Sequence, residues 1–112
     1  MESEPGDTKF LVSLPLAEQA FKEALRMVSP VPSLPRLAVK PFHFGGYDIP
    51  AGVGVSVSPN FVHKMEEYWP DPERFDPTRF DPDQVRARHK YAWVPFGGGA
   101  HMCLGLHFAM LQ

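Results

Sequence analysis

The sequence has one cysteine, Cys103, among 112 residues, and it has no long apolar run. A single cysteine excludes a disulfide within the chain and a zinc site built from several cysteines. No stretch approaches the roughly eighteen consecutive apolar residues of a membrane-spanning helix. The opening residues MESEPGD are acidic and lack the basic start and apolar centre of a secretory signal. We therefore expect a cytoplasmic location and no membrane segment in this chain.

The sequence also lacks a strong charge imbalance. Its net charge is −2, so no broad basic surface argues for a nucleic-acid partner.

Proline is the residue type in excess, with 13 copies. Proline lacks a backbone N–H, so these residues exclude regular helix or central strand from much of the middle of the chain. Aromatic residues are interleaved with the prolines between Tyr68 and Phe96. This composition predicts an ordered coil whose aromatic rings pack together.

The lone cysteine follows three consecutive glycines in the segment FGGGAHMCLG, residues 96–105. Glycine lets the backbone turn sharply and lie close to a flat ligand. The apolar residues from Leu104 to Gln112 predict a helix, with Cys103 at its N-terminal end. Backbone N–H groups at a helix start favour a thiolate, and a thiolate in such a loop can be the axial ligand of a haem iron.

The spacing F-x-x-G-x-[RH]-x-C-x-G-x-x-x-A resembles the haem-binding signature of the cytochrome P450 superfamily. The matching residues are Phe96, Gly99, His101, Cys103, Gly105 and Ala109. The resemblance implies a haem b cofactor, with Cys103 as axial iron ligand and no other catalytic residue within this chain. It further implies that Phe96 shields the sulfur, that Gly99 allows the turn, that His101 binds a haem propionate, and that Gly105 belongs to the cofactor-binding set. The implied activity is a haem-thiolate monooxygenase that inserts one oxygen atom of O2 into a C–H bond of a small apolar organic substrate.

A helix is predicted over LAEQAFKEALRMV, residues 16–28, because its apolar residues form one helical stripe. Glu23 and Arg26 lie three residues apart on another face. Taken alone they are a solvated surface pair. By resemblance to the family's K helix they instead form a buried network with an arginine of a P-E-R-F segment, which this chain has at residues 72–75, so Arg74 is the predicted partner.

Between these segments the sequence predicts short β structure, with a hairpin at Gly45 and Gly46 and a helical turn over residues 59–63. By resemblance, Arg36 binds a haem propionate. The polar residues 84–90 predict a surface loop. One hypothesis makes Arg79, Arg86, Arg88 and Lys90 a docking patch for an electron-donor redox protein, a ferredoxin or a flavoprotein; the other reading is a solvated loop.

The fold class expected from the resemblance is α+β, mainly α, as a C-terminal fragment of the cytochrome P450 fold. It would comprise the K helix, short β segments, a proline-rich meander, the Cys-ligand loop and the start of the L helix, with residues 1–12 irregular and residues 13–112 a partial domain. One alternative is a truncated, catalytically incompetent fragment with little or no haem binding. Another is a small zinc site formed by His101, Cys103 and His107.

Overall fold

The computed structural model describes residues 15–111 and contains short helices and two small antiparallel sheets. The irregular N-terminus predicted for residues 1–12 lies outside the described residues. Within residues 15–111, no helix has both the length and the apolar character that crossing a membrane requires. The predicted α+β class is confirmed as a mixture of helices with small sheets.

Helix α1 spans Pro15–Met27, close to the predicted range. Its start fits the preference for proline in the first helical turn, and Pro30 follows shortly after its end. The helix buries Leu25 together with Glu23 and Arg26. Buried charged side chains require hydrogen-bonding or ionic partners, and some of these must come from the chain packed beside the helix.

Four short strands form two antiparallel pairs. Strand β1 (Leu34–Leu37) pairs with β4 (Gly54–Val57), and β2 (Phe42–Phe44) pairs with β3 (Tyr47–Ile49). Gly45 and Gly46, with φ of 58° and 82°, form the turn between β2 and β3. Two consecutive positive φ angles suit a tight hairpin turn, so the predicted hairpin is confirmed.

Helix α2 (Pro59–Val62) follows β4 and is capped by Ser58, whose side chain accepts a hydrogen bond from Phe61 N at 3.4 Å. The coil that follows contains a 3₁₀ turn over Pro77–Phe80 and then helix α3, Pro82–Ala87. The surface loop predicted for residues 84–90 is therefore wrong over its first half. Proline at the start of α3 already has a helical φ, which favours a helix despite the polar sequence.

The main apolar cluster lies in the proline-rich coil and consists of Trp69, Phe80 and Ala92. Trp69 Nε1 donates to the Ala92 carbonyl at 3.2 Å, so the buried indole N–H is satisfied. Aromatic rings continue from this cluster, with Phe80 5.5 Å from Trp93 and Trp93 6.1 Å from Phe96 between centroids. The prediction of an ordered coil with packed aromatic rings is confirmed, and the row of rings ends at the glycine-rich loop.

The glycine-rich loop contains a 3₁₀ turn over Gly99–His101, and helix α4 spans Leu106–Met110. The helix begins two residues later than the predicted start at Leu104. Cys103 thus lies in the turn before the helix, with Gly105 as the helix N-cap residue.

Candidate functional site

A cavity of about 360 Å³ lies between the glycine-rich loop and the chain that follows α1; we call it the cysteine cavity. Its wall is mostly apolar, with side chains such as Leu25, Val31 and Leu34, and it also includes Cys103. Three further residues singled out in the sequence, Arg36, Phe96 and His101, line the same cavity, although residues 36 and 96 are far apart in the chain.

Local backbone geometry explains how the loop forms this wall. Gly97 and Gly99 have φ of 77° and 72°, in the left-handed region that other residues rarely adopt. The Cys103 N–H donates to the Phe96 carbonyl at 2.9 Å and closes the loop. This bond sets Cys103 beside the residue at which the row of aromatic rings ends.

The Cys103 thiol is exposed and forms no disulfide. A side chain at position 105 would bring its Cβ to 3.7 Å from the sulfur, in van der Waals contact. Glycine at this position therefore keeps the space next to Sγ clear on the side of α4. An accessible thiol beside an uncrowded backbone can serve as a metal ligand.

The two basic side chains of the cavity come from different elements. Arg36 lies in β1 and is exposed, with Nη1 donating to the Pro35 carbonyl at 2.7 Å. His101 ends the 3₁₀ turn of the loop and is also exposed. Both can therefore reach an anionic group at the rim of the cysteine cavity.

These features fit a haem. An apolar wall suits the faces of the macrocycle, an accessible thiol suits the iron, and basic side chains at the rim suit the two propionate groups. Glycine at position 105 leaves out a Cβ that would contact the sulfur at 3.7 Å, which agrees with a ligand that approaches Cys103 closely.

A buried ion-pair network holds the chain behind this wall. Arg26 donates from Nε and Nη2 to the two carboxylate oxygens of Glu23 at 2.7 and 2.8 Å, and both side chains are inaccessible to solvent. Glu23 Oε1 also accepts from Arg79 Nε at 3.1 Å and from the Asp76 N–H at 3.0 Å. The buried carboxylate is thus fully compensated, and the surface-pair reading of Glu23 and Arg26 is wrong.

The predicted third member of this network, Arg74, is replaced by Arg79. The Arg74 side chain is 65% exposed and pairs with Asp76 at 2.6 Å. Hydrogen bonds from the Thr78 side chain and then from Arg74 lower the pKa of Asp76 to about 2. Arg74 contributes only its carbonyl, which accepts from Arg26 Nη2 at 3.2 Å and Arg79 Nη2 at 3.1 Å. The sequence R-F-D-P occurs twice, at residues 74–77 and 79–82. That repeat was the one signal that a second arginine could fill this place.

His63 is a fully buried residue that the sequence reasoning did not assign to the site. Its carbonyl accepts from Arg26 Nη1 at 2.9 Å, and its ring Nε2 accepts from the Val94 N–H at 2.9 Å. Burial, aided by the positive charge of Arg26, lowers the pKa of His63 to about 4. The residue joins the ion-pair network to the segment that enters the glycine-rich loop.

The four basic residues of the hypothetical docking patch are not all exposed in the structure. Arg79 is buried, and the Arg88 guanidinium lies 3.9 Å from the centre of the Trp69 ring and donates to the Arg79 carbonyl at 2.8 Å. Burial lowers the pKa of Arg88, with the nearby charge of Arg79 adding to the effect. Only Arg86, which pairs with Asp83, and Lys90 remain exposed members of the set.

The three residues of the zinc alternative do not form a site. Among residues 15–111, no three His, Cys, Asp or Glu side chains are grouped so that they could hold a metal ion. The reason is the late start of α4, because Cys103 precedes the helix and does not share a helical face with His107.

Comparisons with known proteins identify the family of this chain. The family model for cytochrome P450 matches residues 4–112. Cytochrome P450 4A2 of Rattus norvegicus is 45% identical over 101 residues, which cover 89% of this chain and 20% of the relative. Taxane 10-beta-hydroxylase of Taxus cuspidata is 42% identical over 99% of this chain and 22% of its own length.

Solved structures show the same likeness. The retinoic acid-bound cyanobacterial CYP120A1 has a TM-score of 0.89 and 37% identity, over 99% of this chain and 26% of that structure. The heme domain of cytochrome P450DA has a TM-score of 0.90 and 28% identity, over 99% of this chain and 24% of that domain. This chain spans about a fifth of the length of the curated relatives that it matches. On its sequence and its fold, the chain belongs to the cytochrome P450 family.

Proposed function

We propose that this chain forms the proximal side of a haem-thiolate monooxygenase site, with Cys103 as the axial ligand of a haem b iron. The observation that carries the proposal is the convergence of Cys103, Phe96, His101 and Arg36 on one apolar cavity. When bound, the haem supplies oxygen activation, so that one atom of O2 enters a C–H bond of a small apolar substrate while a redox protein supplies electrons.

Each residue of the cysteine cavity has a distinct task in this proposal. Cys103 provides the thiolate, and Phe96 covers the loop beside it and limits access of water. Arg36 from β1 and His101 from the glycine-rich loop bind the propionates by charge-assisted hydrogen bonds, and this orients the macrocycle. Glu23, Arg26 and Arg79 hold the surrounding backbone in place and take no part in the chemistry.

In this proposal the 112-residue polypeptide forms only one wall of the haem site. Cys103 and His101 are both solvent-exposed, and Leu104 is fully exposed beside them. We therefore expect this polypeptide by itself to bind haem weakly and to give no coupled monooxygenation, because water reaches the iron side of the cavity. A cytoplasmic location is part of the same proposal.

Haem ligation is tested by adding hemin to the chain, reducing it and recording the spectrum of the carbon monoxide complex. Thiolate ligation gives a red-shifted Soret band, which Cys103→Ala should abolish and His107→Ala should leave unchanged. A red-shifted Soret band that persists in Cys103→Ala would show that Cys103 is not the source of that band. If wild-type chain and variant both fail to bind hemin, the incompetent-fragment alternative is supported.

The propionate contacts are tested by hemin titration. We expect Arg36→Ala and His101→Ala each to weaken hemin binding about tenfold, the equivalent of one charge-assisted hydrogen bond of about 1.4 kcal/mol. Arg86→Ala is the matched control, since Arg86 is exposed and pairs with Asp83 away from the cavity lining. Equal affinity in all four proteins would remove Arg36 and His101 from the haem site.

The electron donor is proposed to meet Arg86 and Lys90, the two members of the basic set that are exposed. Charge reversal of both to glutamate should slow haem reduction by an acidic donor at low ionic strength and have little effect at high ionic strength. Unchanged rates at low ionic strength would place the donor elsewhere.

A further inference from the structure

We propose that His63 is a positioning residue for the haem-ligand loop, and that it acts through a single hydrogen bond to the backbone of Val94. The bond joins Val94 N to Nε2 at 2.9 Å, and both residues are buried. The proposal deepens the proposed function, because the loop it positions is the one that carries Cys103.

This bond lies directly before the glycine-rich loop, so its loss would change the position of the loop. Residue 95 is proline, which has no N–H, so the Val94 amide is the last backbone donor before Phe96. The Val94 carbonyl accepts from Gly97 N at 3.1 Å, and the Phe96 carbonyl accepts from Cys103 N at 2.9 Å. A shift of Val94 would therefore displace the turn at Gly97 and the bond that closes the loop on Cys103.

The other end of His63 is fixed by the ion-pair network. Its carbonyl accepts from Arg26 Nη1 at 2.9 Å, and its ring lies edge-on to Trp69 with centroids 6.5 Å apart. Arg26 thus holds the His63 backbone, while the ring packs against the aromatic core. His63 thus connects Arg26, which is rigidly paired with Glu23, to the entry of the loop.

The hydrogen bond also fixes the chemical form of the ring. Nε2 accepts a hydrogen bond, so in the neutral ring the proton is on Nδ1. Among residues 15–111, the buried Nδ1 has no hydrogen-bond partner. Nε2 is therefore the atom through which the ring acts on the Val94 backbone.

Two substitutions of His63 test whether the hydrogen-bond acceptor at the Nε2 position is needed, as distinct from the bulk of the side chain. Glutamine carries its amide oxygen about as far from the backbone as Nε2, whereas asparagine reaches only as far as Nδ1. His63→Gln should retain the bond to Val94, and His63→Asn should lose it. Phe80→Leu is the matched control, because Phe80 belongs to the same core and makes no side-chain hydrogen bond to the loop entry.

The first readout needs no haem. We measure amide hydrogen exchange at Val94, Gly97 and Cys103, and the rate at which iodoacetamide alkylates the lone thiol. His63→Asn should accelerate exchange at these three amides at least tenfold relative to the amides of α1, with faster alkylation of Cys103. His63→Gln should lie within threefold of the wild type, and Phe80→Leu should change loop and helix amides alike.

The second readout is the carbon monoxide spectrum of the hemin-loaded chain. His63→Asn should convert a large share of the thiolate-type Soret band into the unshifted form, and His63→Gln should restore it. If wild-type chain binds no haem but the exchange pattern holds, the proposed function fails and the positioning role stands. If asparagine and glutamine variants behave alike, or if exchange in His63→Asn rises evenly along the chain, the positioning role is overturned.

Discussion

Glu23 Oε1 accepts a hydrogen bond at 3.1 Å from Arg79 Nε, 56 residues further along the chain, and both side chains are buried. The same oxygen accepts from Arg26 and from the Asp76 N–H. One carboxylate therefore fixes the path of the proline-rich coil against α1. The Arg79 guanidinium extends this link with bonds to the Pro70 and Asp71 carbonyls at 2.7 and 2.6 Å.

Substitution of Arg79 should be far more costly than substitution of Arg74. Arg79→Ala leaves Glu23 with one cation in place of two and removes the guanidinium bonds to the Pro70 and Asp71 carbonyls, of which the Asp71 carbonyl still accepts from the Arg74 N–H. We therefore expect a loss of about 3–5 kcal/mol in the free energy of unfolding. Arg74→Ala removes an exposed pair with Asp76 and should cost no more than about 1 kcal/mol. Urea denaturation measures both, and a similar loss for the two variants would contradict the network seen here.

Removal of the carboxylate should be equally damaging. Glu23→Gln leaves two buried guanidinium groups without a counter-charge, for which we expect a loss of about 3–5 kcal/mol. Glu18→Gln is the control on the same helix, since Glu18 forms a partly exposed pair with Lys22 at 2.8 Å. That change should cost at most about 0.5 kcal/mol. If Glu18→Gln matched Glu23→Gln, the loss would reflect helix propensity and not the buried network.

Stability should fall in mild acid because of His63. Its pKa is about 4 in the folded chain against an ordinary value of 6.5, so between these values the unfolded chain binds a proton that the folded chain does not. The free energy of unfolding should therefore decrease as pH falls from 6.5 to 4, by roughly 3 kcal/mol in total. Urea denaturation between pH 4 and 7 measures the slope.

The His63→Gln variant is the reference for that slope, since glutamine does not titrate. We expect its stability to vary much less over the same range. Asp76 adds a separate loss only at lower pH, because its pKa is about 2 in the folded chain. A slope that persists in His63→Gln would assign the acid sensitivity to another group.

Two glycines of the loop should respond differently to alanine. Gly99 has a φ of 72°, so Gly99→Ala should cost about 1–2 kcal/mol of backbone strain. Gly105 has a φ of −85°, and its added Cβ would lie at ordinary contact distance from the Cys103 sulfur. Gly105→Ala should therefore leave stability within about 0.5 kcal/mol and slow the alkylation of Cys103. Unchanged alkylation would show that the sulfur has room to turn away.

The structural elements that are determined by residues close together in the chain could be predicted from the sequence. Helix α1 followed from one helical stripe between prolines, and the β2–β3 hairpin followed from paired glycines. The loop around Cys103 could be predicted from the spacing of phenylalanine, glycine, histidine and cysteine between residues 96 and 105, which is specific to one family signature. In each case the residues that determine the structure are neighbours in the chain.

The parts that depended on distant contacts could not be predicted. Arg74 and Arg79 occur in nearly identical local sequences, and only the packing of the coil against α1 decides which of them reaches Glu23. His63 had no local signal for its bond to Val94, 31 residues away. Helix α3 was missed because its six residues show no apolar stripe and its start depends on Pro82.

The carbonyl of Arg74 accepts hydrogen bonds from both Arg26 and Arg79. Every amino acid has this oxygen, so the network constrains the length of the chain at this place more than the type of residue. Insertion or deletion of one residue between positions 74 and 79 would move the carbonyl out of reach of one guanidinium. Natural variants of this segment should accordingly exchange the side chain at position 74 freely while the spacing to Arg79 stays fixed.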